Sequence, residues 1–275
     1  MQTVTRLKQK LPGNALTPFH YLRYLRSDRA TLKRAAPWLK PLGYDRIYYY
    51  HIRKTAGTSL AFAFMNLGGG DFNDRPKQRW YDQHGWIVHG DYVFVTHNRY
   101  LIQRGHYFFA DAHIPAHELQ IPANTFRITI LRDPVARVIS HYRMVRHWRE
   151  HGLQHPGKAR AENDPGKDFS DFLDKVPRAH LLRQLYMFSK TFNVDEAIAA
   201  VSRLNYVMFT EAFGEHLNRL GSLLQLNLHS FSEKAGYGSV SITEDERARL
   251  REMLAPEYAL VEAVAPLAGV YRELR

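Results

Sequence analysis

Between His51 and Ser59 the chain reads His-Ile-Arg-Lys-Thr-Ala-Gly-Thr-Ser, a run of cations, hydroxyls and one glycine suited to holding an anion. The stretch before it, Ile47–Ile52, has the β-branched and aromatic composition of a buried strand. Behind it Leu60, Ala63, Phe64 and Leu67 fall at helical spacing on one apolar face. A tight turn from strand into helix leaves backbone N–H groups pointing outward at the positive end of the helix dipole. Phosphate or sulfate binds at such a place. Lys54 adds a point charge beside Arg53, and the hydroxyls of Thr55, Thr58 and Ser59 add donors. The same residues also suit a plain capped helix with a lysine on its rim. They do not make a Gly-Lys-Ser/Thr phosphate loop, because Lys54 precedes Gly57.

A second stretch, Phe126–Pro134, has the composition of a central strand up to Leu131, after which Asp133 can cap a helix and Pro134 can occupy its first turn. Val135, Val138, Ile139 and Tyr142 make the apolar stripe of that helix. Arg137, Ser140 and His141 are then expected off the stripe. Arg132 at the strand end and Ser140 on an open helical face could hold a second anion; an arginine-rich solvated helix through Arg143, Arg146 and Arg149 is the alternative. Between the two stretches, Tyr107–Ala110 ends on Asp111-Ala112-His113. A His just past the carboxyl end of a strand stands where open α/β sheets bind their ligands. Its chemistry would be proton transfer near neutral pH. With 15 His in the chain, position by itself does not single this one out.

These residues need a scaffold, and strands alternating with helices provide one. Val194–Leu204 and Phe213–Leu226 have helical patterns, Tyr206–Thr210 is a further strand with Glu211 at its end, and Thr243 with Glu246 forms a capping box. The expected architecture is α/β, a mostly parallel sheet covered by helices on both faces. A basic, proline-broken arm over 1–45 precedes a single α/β domain over 46–275, with a mobile Gly- and Pro-punctuated loop near 150–167. Residues 71–106 are dense in His, Trp, Tyr, Asp and Arg, a mixture that lines sugar or nucleotide grooves and also ordinary surfaces.

The 275 residues carry 38 Lys and Arg against 27 Asp and Glu, a formal charge of +11, which favours acidic partners. There is no cysteine, so disulfides, thiolate metal sites and cysteine nucleophiles are excluded. No apolar run is long enough to span a bilayer, and no signal-peptide core stands at the N-terminus. A soluble cytoplasmic protein is expected, with a peripheral membrane contact of the arm left open.

Taken together, HIRKTAGTS at 51–59 and ITILRDPVARVISHY at 128–142 resemble the cofactor-binding motifs of PAPS-dependent sulfotransferases, in particular the glycan (heparan sulfate 2-O-like) branch. The likeness is clear from about 46 to 146 and thins towards 211. It implies a P-loop-like three-layer α/β fold. It implies that Arg53, Lys54, Thr55, Gly57, Thr58 and Ser59 hold the 5′-phosphosulfate and that Arg132 and Ser140 hold the 3′-phosphate. His113 then corresponds to the general base, with Lys54 beside the leaving phosphate. The implied reaction transfers a sulfuryl group from PAPS, leaving PAP, to a hydroxyl of an acceptor, most simply a saccharide or glycolipid, without a metal. Three departures stand out: Arg53 where the branch carries Pro, Ala112 where Gly precedes the base, and the lack of the membrane anchor and disulfides of Golgi members. The last points to a bacterial-type cytosolic enzyme. Two rivals follow from the residues. In a P-loop-type kinase Asp133 would hold Mg²⁺; in a polyanion- or nucleic-acid-binding module the Arg143–Arg149 helix would be the contact, although nucleic acid is not the expected partner.

Overall fold

A computed structural model of the chain describes residues 42–69, 85–152, 161–230 and 237–273. The expected arm over 1–45 falls almost wholly outside them, as do 71–84 of the aromatic segment and 153–160 of the expected loop.

Six strands form one sheet in the order β2-β3-β4-β1-β5-β6. They are β1 (Arg46–Tyr50), β2 (Trp86–His89), β3 (Tyr92–Thr96), β4 (Phe109–Ala112), β5 (Thr125–Leu131) and β6 (Tyr206–Phe209). All neighbours are parallel except the β2–β3 hairpin at one edge. The helices are α1 (Gly57–Met65), α2 (Arg99–Arg104), α3 (Pro134–Glu150), α4 (Phe169–Lys175), α5 (Arg178–Leu181), α6 (Arg183–Phe188), α7 (Val194–Ser202), α8 (Phe213–Leu224), α9 (Glu244–Met253) and α10 (Ala255–Val264).

Side chains alternate across a strand, so each strand feeds two cores. Ile47, Tyr49, Phe126, Ile128 and Ile130 pack under α1 and α8 with Leu60, Phe64, Leu217 and Leu220. Tyr48, Tyr50, Val93 and Val95 pack on the other face with α3, α4, α6, α7, α9 and α10. The architecture is therefore α/β, a mostly parallel sheet with helices on both faces, as the alternating pattern requires. Among the described residues no helix is long and apolar enough to cross a membrane.

Two local expectations need correction. Arg137 and His141 are not off the buried surface of α3; they are 1% and 2% exposed. α3 lies between the sheet and a second layer of helices, so it has two buried sides and its polar residues are partnered inside. Arg137 donates to the carbonyls of His180 and Leu181 and faces the Glu257 carboxylate at 3.7 Å; His141 Nε2 meets Asn163 Oδ1 at 3.3 Å. Of the expected loop near 150–167 the described residues show that α3 runs to Glu150, that Arg149 Nη1 donates to the Gly166 carbonyl at 2.6 Å, and that Asn163 is buried. Finally, α1 stops at Met65 and Leu67 lies in a short 3₁₀ turn.

Candidate active site

Parallel pairing delivers the chemistry-bearing residues to one edge. Tyr50 is level with Ala112 of β4 and Thr129 of β5, so the segments that follow all three central strands emerge together. The carboxyl edge of a parallel sheet is where an open α/β fold forms its crevice. His51–Ala56, His113 and Arg132 meet there.

The turn from β1 into α1 has alternating backbone handedness: Lys54 has φ 71° and Ala56 has φ 61°, while Thr55 between them does not have a positive φ. Such alternation turns successive N–H groups towards one point and makes an anion-binding concavity. The N-cap residue is Ala56, and no side chain caps the helix, so the first-turn N–H groups of α1 are left for a ligand. Thr55 departs from the expectation for its side chain. It is fully buried and its hydroxyl donates to the Ile52 carbonyl at 2.9 Å, which leaves its backbone N–H as its possible contribution. Thr58 and Ser59 are partly exposed on the first turn.

Gly57 has a packing role. A Cβ at this position would lie 2.0 Å from His51 Nε2 and 2.7 Å from the Tyr49 hydroxyl. Both neighbours are buried rings, so neither can give way cheaply. Gly57→Ala is expected to displace the turn and lower thermal stability, by about 1–3 kcal/mol as overpacking does; thermal or urea unfolding of the variant checks it, and wild-type stability would contradict the packing role.

Cations crowd the turn. Arg132 Nη1 donates to the Lys54 carbonyl at 3.1 Å. Burial, then the charges of Arg132 and Arg53, lower the Lys54 ammonium to about 8. Its Nζ donates to Met144 Sδ at 3.7 Å and lies 4.6 Å over the ring of Tyr237. Arg53 is half-buried, and its charge adds to burial in depressing His113, His141, His180 and Arg183. Ser140 stands two turns along α3, partly exposed, and among the described residues no contact of its own joins it to Arg132.

Strand end β5 is locked from behind. Gln184, fully buried, accepts from the Arg132 N–H at 2.8 Å and donates to the Arg132 carbonyl at 3.0 Å. Glu257 in turn accepts from the Gln184 N–H at 2.6 Å and its side-chain amide at 3.2 Å. Gln184→Ala strands two backbone groups of Arg132, and urea unfolding is expected to read a loss of about 1–3 kcal/mol. Asp133 is occupied as a cap: Oδ1 accepts from Ala136 N at 2.7 Å and Oδ2 from the Tyr258 hydroxyl at 2.9 Å. A carboxylate used in this way is not poised as a magnesium ligand, which removes the ground for the kinase reading.

His113 lies half-buried past β4. Its Nδ1 is 2.6 Å from the His51 carbonyl oxygen; that oxygen only accepts, so Nδ1 carries the hydrogen and Nε2 has the lone pair. Burial, then the charges of His51 and His97, with Arg53 adding to them, hold the ring well below the ordinary histidine range. The ring is neutral at pH 7. Arg183, 7% exposed, donates to the His113 carbonyl, and burial with the charges of Arg53 and Arg137 lowers it to about 10. Beyond it a strip of rings continues: Tyr186 meets His117 edge-on at 5.2 Å and stacks on Phe192 at 5.3 Å, and Arg178 lies 4.5 Å over Phe192. Arg183 and this strip had no signal in the sequence, because a lone arginine in a short helix looks like any solvated one.

Residues 43–253 match the family described as the sulfotransferase family. The chain matches no curated protein. Among solved structures, a sulfotransferase from Alicyclobacillus acidocaldarius aligns at 14% identity over 90% of this chain and 92% of its own, with a TM-score of 0.34. Retinol dehydratase, in complex with androsterone and the inactive cofactor PAP, aligns at 13% identity over 86% of this chain and 72% of its own, with a TM-score of 0.31.

Proposed function

The chain belongs to the sulfotransferase family, and from that premise we propose that it transfers a sulfuryl group from PAPS to a hydroxyl of a saccharide or glycoconjugate, with His113 as general base. The observation that carries the proposal is the meeting of two unlike sites at one sheet edge. One is a neutral imidazole with Nε2 available. The other is Lys54, whose ammonium is lowered by burial and by the neighbouring charges of Arg132 and Arg53, a setting that favours an anion.

The residues fit such a cofactor. Lys54 is a half-buried ammonium whose nearest described partners are a sulfur and a ring, and the helix start behind it has no side-chain cap. A donor set this rich in positive charge is stable only opposite negative charge. Arg53, Lys54, the N–H groups of Thr55 and Gly57, and Thr58 and Ser59 would hold the 5′-phosphosulfate. Arg132 and Ser140 would hold the 3′-phosphate. PAPS, when bound, supplies the sulfuryl group, whose sulfur bonds to the acceptor oxygen as its bond to the phosphate oxygen breaks. His113 Nε2 takes the acceptor hydroxyl proton, and Lys54 with the turn N–H groups stabilises the charge left on the phosphate. The strip of Tyr186, Phe192 and His117, flanked by Arg178 and Arg183, supports a saccharide acceptor: aromatic faces cover the apolar face of a sugar ring, and guanidinium groups suit its oxygens or acidic substituents.

Incubation with PAPS labelled in the sulfuryl group and a panel of glycans, glycolipids and phenols tests both parts. Label on a saccharide hydroxyl is expected. Label confined to phenols would remove the saccharide assignment, and failure to bind PAP would remove the cofactor assignment.

A further inference from the structure

A buried hydrogen-bonded pair lies directly behind the proposed base. Asp111, next to last in β4 and 2% exposed, sits with Oδ2 2.6 Å from His51 Nδ1. Tyr49 pairs with Asp111 in the parallel register, and strand alternation brings Tyr49, His51, Asp111 and His113 to one side of the sheet edge. The His51 ring is confined on every side. It stacks on Tyr49 at 5.0 Å, faces the His113 ring at 4.2 Å, and presses its Nε2 edge against Gly57.

The backbone of the same residue reaches the base. The His51 N–H donates to the Ala112 carbonyl at 3.1 Å, and the His51 carbonyl accepts from His113 Nδ1 at 2.6 Å. A burden-free apolar residue would fill this space without desolvating a carboxylate. Burial alone would raise the Asp111 carboxyl, but the His51 hydrogen bond and the charges of His51 and His97 outweigh it and hold Asp111 below the ordinary range. The contact is short and directional, and the packed rings fix it in place.

We propose that Asp111 and His51 are positioning residues for transfer: Asp111 immobilises His51, and the His51 carbonyl thereby holds His113 in the Nδ1–H tautomer with Nε2 towards the acceptor. The inference rests on His113 being the base. Loss of the pair would let the His113 ring rotate and populate the Nε2–H tautomer, which cannot accept a proton from the acceptor.

The test compares wild type, Asp111→Ala, Asp111→Asn and His113→Ala in the full chain, by steady-state kinetics and by long-range proton–nitrogen NMR of the histidine rings. In wild type His113 is expected in the Nδ1–H form. Asp111→Ala should lower kcat about 10–100-fold, the usual effect of removing a group that orients another, with KM for the acceptor and PAP affinity within about threefold and with mixed tautomers at His113. Asp111→Asn, which keeps an acceptor oxygen for His51, should recover part of kcat and of the single tautomer. An Nε2–H signal in wild type overturns the proposal, as does turnover within twofold of wild type in either Asp111 variant. If Asp111→Ala does not fold, Asp111→Asn and the wild-type spectrum still decide. Turnover by His113→Ala would defeat the base assignment itself, whereas an inactive His113→Ala beside a fully active Asp111→Ala would defeat only the positioning role.

Discussion

His113→Ala is expected to lower kcat about 10²–10⁴-fold, the range contributed by a positioned general base, while PAP binds with nearly wild-type affinity. The split follows from where the residue stands. His113 is just past the end of β4, with its Nδ1 committed to the His51 carbonyl, whereas Lys54 follows β1 and Arg132 follows β5. The pH dependence follows from its environment. Burial and the charges of His51, His97 and Arg53 lower its affinity for a proton. Below the ordinary histidine range a free imidazole would be protonated and useless as a base; here the ring stays neutral further into acid. The acid limb of kcat/KM, which reports the free enzyme, should therefore lie below pH 6.5, the unperturbed value. An acid limb at or above that value, or substantial turnover by the alanine variant, would remove His113 from the reaction.

Lys54→Met should have the next largest effect, a fall in kcat of about 10²–10³-fold, as when one preorganised donor to a developing anion is removed. PAP binding weakens as well but persists, because Arg53 and Arg132 remain. Methionine preserves the length and apolar stem of the side chain, so packing against Met144 and Tyr237 survives. The wild-type lysine carries a further signature. Its ammonium titrates at about 8, so the charge is complete below that pH and is lost as pH rises through it. PAP affinity of the wild-type protein should then decline above about pH 8, and the decline should be absent from Lys54→Met. An unchanged alkaline decline in the variant would assign it to another group.

Much of this site was legible in the residues because its parts are local. A strand, a turn and a helix start occupy one continuous stretch at 46–65, and the signals for each are a few residues long. The Asp133 cap and the Pro134 helix start are likewise readable, as is the capping box of Thr243 and Glu246. The helix face of α3 was readable only in half. Val135, Val138, Ile139 and Tyr142 are buried as their spacing requires. Arg137 and His141 are buried too, because the compensating Glu257, Leu181 and Asn163 come from distant segments that no periodicity within α3 can announce. The edge strand β2 and the terminal helix α10 also escaped the pattern, the first being four residues long.

The sequence by itself determined that a turn rich in cations and hydroxyls follows one strand, a capped helix with a cation follows another, and a histidine follows a third. Each depends on backbone geometry and charge within about ten residues, and such local energetics is written in the order of the residues. Only the tertiary structure decided that the three meet. Parallel register brings Tyr50 level with Ala112 and Thr129, and Asp111 reaches His51 across 60 positions of the chain. It also decided that Thr55 turns its hydroxyl inward and that Gly57 exists to admit the His51 ring. Those outcomes depend on which strands pair and how closely two elements pack, and these are set by the burial of both faces of the sheet at once, a property of the whole domain.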